Sequence, residues 1–373
     1  MNPTKGRGSG CSRERRIHKM SEFKLLLVED NDAEIGVFKE SVEIYKTRNS
    51  REIKYHICKS VDEAYGILDN SFDGAIIDLK LPSGDDEGNK VVEKIKDSFR
   101  IPVAIFTGTP DAADSYSDFN YVGIFKKGEK SYSDILDKLL KIYATGLTRI
   151  VGGRGKIEET LNKVFNTNLI PQINKWVEYG ENDSAGQTET GLLRYTLNHL
   201  LQLLDNDGVR YYPEEVYIAP SLAENIQTGS IVSSKDKKSF FVVMSPACDL
   251  ALGKNECFKT KRILLVEIEK MDILEKTIET KKVTKSDKQE KMKEEFYKNN
   301  YTFYYHFLPK TDFFPGGFIN FRNINTYTKE EFDNKFINTN IQIIPYFVRD
   351  IQGRLSSYYA RQGQPDIDLK KIV

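Results

Sequence analysis

Four stretches decide the fold: LLLVEDND at Leu25–Asp32, GAIIDLKLP at Gly74–Pro82, VAIFTGTP at Val103–Pro110 and GIFKKGE at Gly123–Glu129. Each is a continuous apolar run that breaks off into polar or charged residues. A strand covered by helices on both faces needs such a run, because neither of its sides meets water. Ile53–Cys58 reads as a further strand, and the fourth run above as a strand over Val122–Phe125. Between the runs the spacing turns helical: Ala33–Tyr45, Val61–Leu68, Lys90–Lys96, a short Asp111–Tyr116, and Asp134–Tyr143 with Ile135, Leu136, Leu139, Leu140 and Tyr143 on one side. Ser60 followed by Glu63 is a capping box for the second of these. Five strands alternating with five helices predict an α/β fold, a doubly wound five-stranded parallel sheet of flavodoxin-like type.

Outward from that core the chain changes character. Residues 1–20 are polar, Gly-rich and basic, and read as a disordered tail, with Met20 as an alternative start. Gly146–Gly155 (GLTRIVGGRG) reads as a linker or, equally, as the seam of a continuing helix. Residues 156–205 are helical in pattern, with a stripe at Leu161, Val164, Phe165, Leu169 and Ile173 and another over Leu192–Leu204. From Tyr211 strands return at Ser230–Val232, Phe240–Met244, Ile263–Ile268 and Tyr301–Leu308. The Lys- and Glu-rich stretch 270–300 interrupts them, and a helix is expected over Ile343–Tyr359. The predicted organisation is a tail at 1–20, a first domain at 21–147, a helical connector at 148–210 and an α+β domain at 211–373, the last with an SH3-like barrel.

Composition narrows the function classes. The 373 residues carry 55 Lys+Arg and 55 Asp+Glu, so no net charge drives the whole protein toward DNA or anionic lipid. No apolar run is long enough to span a bilayer, and no secretory signal pattern follows the basic start. Four scattered cysteines make no disulfide framework, so a reducing, cytoplasmic setting is expected. The 190–204 helix carries Arg194, His199 and few other cations, so nucleic-acid binding is not expected.

In a doubly wound sheet the carboxyl ends of the strands form the binding crevice. Glu29-Asp30, Asp78, Thr107 and Lys126-Lys127 stand at those ends. Three clustered carboxylates repel one another, and a hard divalent cation such as Mg²⁺ relieves the repulsion. An Asp beside that metal can attack phosphorus, a lysine can hold the new phosphate as a point charge, and a hydroxyl can donate to a remaining oxygen. Phosphoryl transfer rests mainly on positioning and charge neutralisation, so no strong base is required.

By these motifs residues 23–143 resemble a response-regulator receiver domain. The resemblance implies Asp78 as phospho-acceptor for a sensor histidine kinase. It implies Glu29, Asp30, Asp78 and the backbone carbonyl of Lys80 as Mg²⁺ ligands. Thr107 is the switch hydroxyl and Lys127 the phosphate-binding lysine, with Lys126 as the alternative. Three departures stand out. The acidic loop Ser83–Gly88 is longer than usual, Ile124 replaces an aromatic switch, and Gly128 replaces a proline, which predicts a looser loop. The face including Tyr116 to Tyr121 is where many receivers form a homodimer.

Beyond residue 150 the reading is thinner. GSIVSSKDKKSFFVVMSPACDL at Gly229–Leu250 resembles the first hairpin of an SH3-like barrel in PemK-like RNA-cutting toxins. Cys248, Cys257 and His306 are too few for a complete zinc site, so the cysteines are expected to be buried and structural. Arg354 and Arg361 lie two helical turns apart, on one face if the helix continues; that face could bind a phosphate or a partner's carboxylates, and the favoured reading is an internal salt-bridge seam. SPACDL with ARQGQPDI resembles receiver proteins of Detocs-type bacterial defence operons, which implies antiphage signalling or buffering of phosphoryl groups. The leading expectation is a response regulator with a non-DNA-binding output and no enzymatic activity beyond its own phosphorylation and dephosphorylation. The alternatives are a phosphorylation-switched nuclease-like effector and a degenerate receiver scaffold.

Overall fold

The structure is a computed structural model, and it describes residues 22–49, 52–82, 84, 86–115, 119–152, 155–181, 186–205, 210–251 and 258–361. The chain divides into two compact units, the first running to Asp207 and the second from Gly208.

The first unit opens with strands β1 (Phe23–Val28), β2 (Ile53–Cys58), β3 (Gly74–Ile77), β4 (Val103–Thr107) and β5 (Gly123–Lys126), interleaved with helices α1 (Asp32–Asn49), α2 (Val61–Ile67), α3 (Gly88–Ser98) and, after β5, α4 (Tyr132–Ala144). All pairings are parallel, in the order β2-β1-β3-β4-β5. The period of two along β1 explains why the sheet must be covered twice. Phe23, Leu25 and Leu27 pack with Phe38 and Val42 of α1 and Ile135 and Leu139 of α4. Leu26 and Val28 face the other way, against Ala64 of α2 and Val91, Val92 and Ile95 of α3.

Between β4 and β5 the expected helix Asp111–Tyr116 is only a 3₁₀ turn, Pro110–Ala112, and residues 116–118 lie outside the described residues. A buried side chain organises this connection instead: Asn89 Nδ2 donates to the Ala112 carbonyl, and its Oδ1 accepts from the Asp114 amide. The pairing of Ser60 with Glu63 is also modified. Ser60 Oγ accepts from the Glu63 amide, but the Glu63 carboxylate accepts from the amide of Lys59, one residue before the cap.

Of the two readings of Gly146–Gly155, the described residues follow the helical one rather than an open linker. The segment contains helix α5 (Leu147–Val151), whose buried Thr148 donates to Asp73 Oδ1 at 2.8 Å, while Asp73 Oδ2 accepts from the Lys24 amide at 3.0 Å. Arg100 Nε also donates to the Val151 carbonyl. The helical pattern then continues as α6 (Lys156–Val164), a π-helical turn (Phe165–Leu169), a 3₁₀ turn (Ile170–Gln172), α7 (Ile173–Glu181) and α8 (Gln187–Asp205).

The second unit is a seven-stranded antiparallel sheet, curled into a half-barrel, in the order β10-β11-β9-β8-β7-β12-β6. Its elements in chain order are β6 (Tyr217–Ile218), β7 (Ser230–Ser234), β8 (Phe240–Val243), β9 (Ile263–Glu269), α9 (Ile273–Thr280), α10 (Ser286–Tyr297), β10 (Tyr305–Leu308), β11 (Gly317–Tyr327), α11 (Lys329–Lys335), β12 (Phe336–Ile343) and α12 (Pro345–Tyr359). The β7–β8 hairpin is present, its turn using Lys237 at φ +57°. One face of the sheet packs on Val348 and Ile351 of α12, the other on Phe332 of α11. The Lys- and Glu-rich stretch forms α9 and α10, which bury Leu274, Ile278, Met292 and Phe296. Among the described residues no helix is long and apolar enough to cross a membrane.

Candidate functional site

The order of the first sheet reverses between β1 and β3, so their carboxyl ends open side by side. Val28 pairs with Ile77, which sets Glu29 beside Asp78. The Asp78 amide donates to the Val28 carbonyl at 2.9 Å and fixes that level. Glu29, Asp30 and Asp78 bring one carboxylate oxygen each within 4.8 Å of one another. Glu29 and Asp78 are buried, and Asp30 is half-exposed.

Lys127 closes this cluster. Its Nζ donates to Glu29 Oε2 at 2.6 Å and to Asp78 Oδ2 at 2.7 Å. Lys126 points elsewhere and pairs with Glu129 at 3.2 Å. The difference follows from strand alternation at the end of β5. The Lys127 amide donates to the Thr107 carbonyl, which anchors that residue at the end of β4. Gly128 follows at φ +86°, which proline cannot adopt, and the amides of Glu129 and Lys130 both return to the Lys126 carbonyl. The looser loop expected from Gly128 is therefore a hydrogen-bonded turn.

The remaining site residues take distinct places. Thr107 is fully buried, and its Oγ1 accepts from the Thr109 amide at 3.3 Å and lies 3.4 Å from the Thr109 hydroxyl. Its hydroxyl is thus engaged by Thr109 rather than by the carboxylates. The Lys80 amide donates to Asp78 Oδ1 at 3.3 Å. Gly88 lets α3 start against this loop, because a Cβ there would stand 2.2 Å from the Asp78 carbonyl oxygen. Of the longer acidic loop, Ser83 and Asp85 lie outside the described residues. Leu81 and Gly84 exchange two 3.0 Å backbone hydrogen bonds and close it as a tight turn. Ile124 is 45% exposed, so no aromatic ring lies at that position to follow Thr107 inward.

Sequence reading missed Tyr132. Ser131 caps α4 in a full capping box with Asp134, which places Tyr132 in the first turn, facing the sheet. The Tyr132 ring packs edge-on against Phe106 and Phe38, and its hydroxyl lies 3.5 Å from Glu29 Oε2. The signal available was Ser131 three residues before Asp134, which moves the helix start ahead of the apolar stripe.

The electrostatics follow from burial. Burial raises the Glu29 pKa above the ordinary carboxylate value, and Asp78 adds to this, while Lys127 opposes both. For Lys127, burial works to lower the pKa, but the hydrogen bonds and charges of Asp78 and Glu29 outweigh it and hold it above the ordinary lysine value. The ammonium thus offsets part of a charge concentration that is costly in a low-dielectric site. Three carboxylates in this range, all oxygen donors, fit a hard divalent cation such as Mg²⁺.

Among the described residues the candidates in the second unit do not assemble into a site. Cys248 is exposed on the turn after β8, contrary to the buried role expected for it, because the chain leaves the sheet at Ser245. Cys257 lies outside the described residues, and His306 is buried in β10. Among the described residues the favoured salt-bridge seam does not form: Arg354 donates through Nη2 to the carbonyls of Asn299, Thr302 and Tyr305, and α12 ends before Arg361. Arg361 instead lies over the Phe303 ring. In the first unit, Phe119 and Tyr121 pack against the α2–α3 side of the core.

No family model matches the chain, and no curated protein matches it. Solved structures similar to its amino-terminal third are receiver domains. A CheY-like response regulator receiver domain from Methylobacillus flagellatus is 21% identical, covering 32% of this chain and 99% of its own, with a TM-score of 0.26. A response regulator receiver domain protein from Clostridium thermocellum is 19% identical, covering 33% and 95%, with a TM-score of 0.27. The non-phosphorylated HemR receiver domain from Leptospira biflexa is 20% identical, covering 32% and 93%, with a TM-score of 0.25.

Proposed function

We propose that the first unit is a phosphoryl-accepting receiver in the cytoplasm, with Asp78 as the acceptor and the phosphohistidine of a sensor histidine kinase as the donor. The observation that carries this reading is the convergence of Glu29, Asp30, Asp78 and Lys127 at the point where the sheet order reverses. Glu29, Asp30, Asp78 and the Lys80 carbonyl would hold Mg²⁺, which supplies charge neutralisation at the phosphoryl oxygens.

The residues divide the chemistry as follows. A carboxylate oxygen of Asp78 forms the new O–P bond while the P–N bond of the donor breaks. The departing imidazole keeps the bonding electrons and takes up a proton. Lys127, already directed at Asp78 Oδ2, holds the charge of the acyl phosphate formed there. Thr107 exchanges its contact with Thr109 for a phosphoryl oxygen. Glu29 and Asp30 offer their carboxylate oxygens to the cation, and the Tyr132 ring and hydroxyl cover the inner side of Glu29.

The output is carried by protein contacts of the rest of the chain or by storage of the phosphoryl group, not by DNA reading. The α8 helix lacks a cationic recognition face, since Arg194 is its one Lys or Arg. An antiphage setting and an RNA-cutting output lie outside this proposal, since no contact described above points to either. Phosphate-affinity gels of the full chain after incubation with a phosphorylated kinase and Mg²⁺ test the reading. A shifted band that disappears in Asp78→Asn is expected, and a shift that survives the substitution refutes it.

A further inference from the structure

A cavity of about 470 Å³ lies within the second unit, inside the range of about 300–1,000 Å³ that small-molecule sites occupy. The start of α12 forms one wall. Val348, Arg349 and Gln352 follow Pro345 by three, four and seven residues, so a single face of the helix lines the cavity. Ala247, Leu250 and Ala251, from the chain after β8, add an apolar wall. Gln227 and Thr228, ahead of β7, and Gln342 of β12 line the rest.

These walls are already set. Gly229 at φ +92° lets the turn before β7 meet α12, since a Cβ there would stand 2.4 Å from Val348 Cγ2. Thr228 Oγ1 donates to the Ser245 carbonyl at 2.6 Å and ties that turn to the end of β8. The buried Gln342 accepts from Ser221 Oγ at 3.3 Å and donates to Gln227 Oε1 at 3.2 Å. Among the described residues Gln227 Nε2 then has no acceptor, and the Gln352 amide has no partner. Arg349 likewise has no hydrogen-bond or ion-pair partner among them, whereas Arg354 of the same helix is spent on three carbonyls.

We propose that this cavity takes a nucleoside monophosphate. Among the described residues lining it Arg349 alone is charged, so the ligand carries an anion. Arg349 is exposed, as suits a group that meets a phosphate at the cavity mouth. An amino acid or an amine would bring an ammonium with no carboxylate to receive it. Glutamine amides present a donor and an acceptor side by side, which matches the edge of a base. Ala247, Leu250, Ala251 and Val348 cover the apolar faces of its ring. A sugar phosphate has no such face.

Isothermal titration of the full chain with adenosine, guanosine, cytidine and uridine monophosphates tests this. At least one is expected to bind with a dissociation constant below about 1 mM. The matching nucleoside, ribose phosphate and inorganic phosphate should each bind at least about tenfold more weakly. Arg349→Gln should weaken the monophosphate at least about tenfold, the loss of a charge-assisted hydrogen bond, with unchanged thermal unfolding. That substitution removes no described contact, so the fold is not at stake, and Gln352→Leu is a second variant with the same expected direction. Four monophosphates that fail to bind overturn the proposal, as does a folded Arg349→Gln that binds as tightly as wild type. Equal binding of the nucleoside or of ribose phosphate overturns it too, since one recognised part would then be idle.

Discussion

Lys127 Nζ lies 2.7 Å from Asp78 Oδ2, and its side chain is only 18% exposed. The same ammonium reaches Glu29, so one cation balances two buried carboxylates. Lys127→Ala should therefore destabilise the metal-free first unit by about 3–5 kcal/mol, the cost of leaving buried charge unpaired. Mg²⁺ should return part of that loss. Urea unfolding in chelator and in Mg²⁺ checks both halves, and a variant as stable as wild type in chelator contradicts this charge balance.

Tyr132 touches the site mainly through its ring. Its hydroxyl is 3.5 Å from Glu29, at the limit of a hydrogen bond, while the ring centroid is 4.7 Å from that of Phe106. Tyr132→Phe should cost less than about 1 kcal/mol, and Tyr132→Ala about 3–5 kcal/mol by opening a cavity. Equal losses in thermal unfolding would show that the hydroxyl, not the ring, matters.

Asp73 ties α5 to the sheet through Thr148 and the Lys24 amide. Thr148→Val keeps the shape and removes one donor from a buried carboxylate, so a loss of about 1–3 kcal/mol is expected. Asp73→Ala should cost more, because it also orphans the Lys24 amide. Protease resistance around Gly152 reports the same event, and no change in either variant would mean that α5 is held by packing alone.

His306 gives the second unit a pH dependence. Burial holds its pKa down to about 3, and the Arg354 charge adds to this. Asp350, 3.6 Å from Nδ1, pulls the other way, but its carboxylate is largely exposed and screened. A histidine released by unfolding protonates near its ordinary value of about 6.5, while the folded one stays neutral. The stability tied to this group is therefore full above pH 6.5 and is lost as the pH falls toward 3. On the order of 2 kcal/mol should go between pH 6.5 and 5. Among the described residues His306 Nδ1 has no hydrogen-bond partner, so His306→Leu should fold and show a flatter dependence. A His306 C2–H resonance that titrates near pH 6.5 would contradict the argument.

The parallel sheet was legible because its strands are apolar on both faces and its acids fall at strand ends. Glu29, Asp30, Asp78 and Lys127 could all be named from their order along the chain, and sheet register brings them together. Tyr132 was not legible, since its ring sits ahead of the apolar stripe that marks α4. Asp111–Tyr116 carries a helical pattern, but Asn89 and Asp114 hold the connection in a turn. The segment Gly146–Gly155 reads equally as a linker from its glycines or as a continuing helix, and the Thr148–Asp73 contact that anchors α5 spans 75 residues and leaves no local trace. In the second unit β11 and β12 went unread. Their polar residues, such as Asn320 and Asn323, are satisfied by Glu267 and Glu269 of the neighbouring strand, which only the pairing reveals.

The central claim is that Asp78 takes a phosphoryl group. Intact-protein mass spectrometry of the full chain after acetyl phosphate and Mg²⁺ tests it most directly. The account predicts the added mass of one phosphoryl group, absent without Mg²⁺, absent in Asp78→Asn and removed by neutral hydroxylamine, as an acyl phosphate must be. An unmodified mass in a folded protein also challenged with a phosphorylated histidine kinase, or the same added mass in Asp78→Asn, would contradict it.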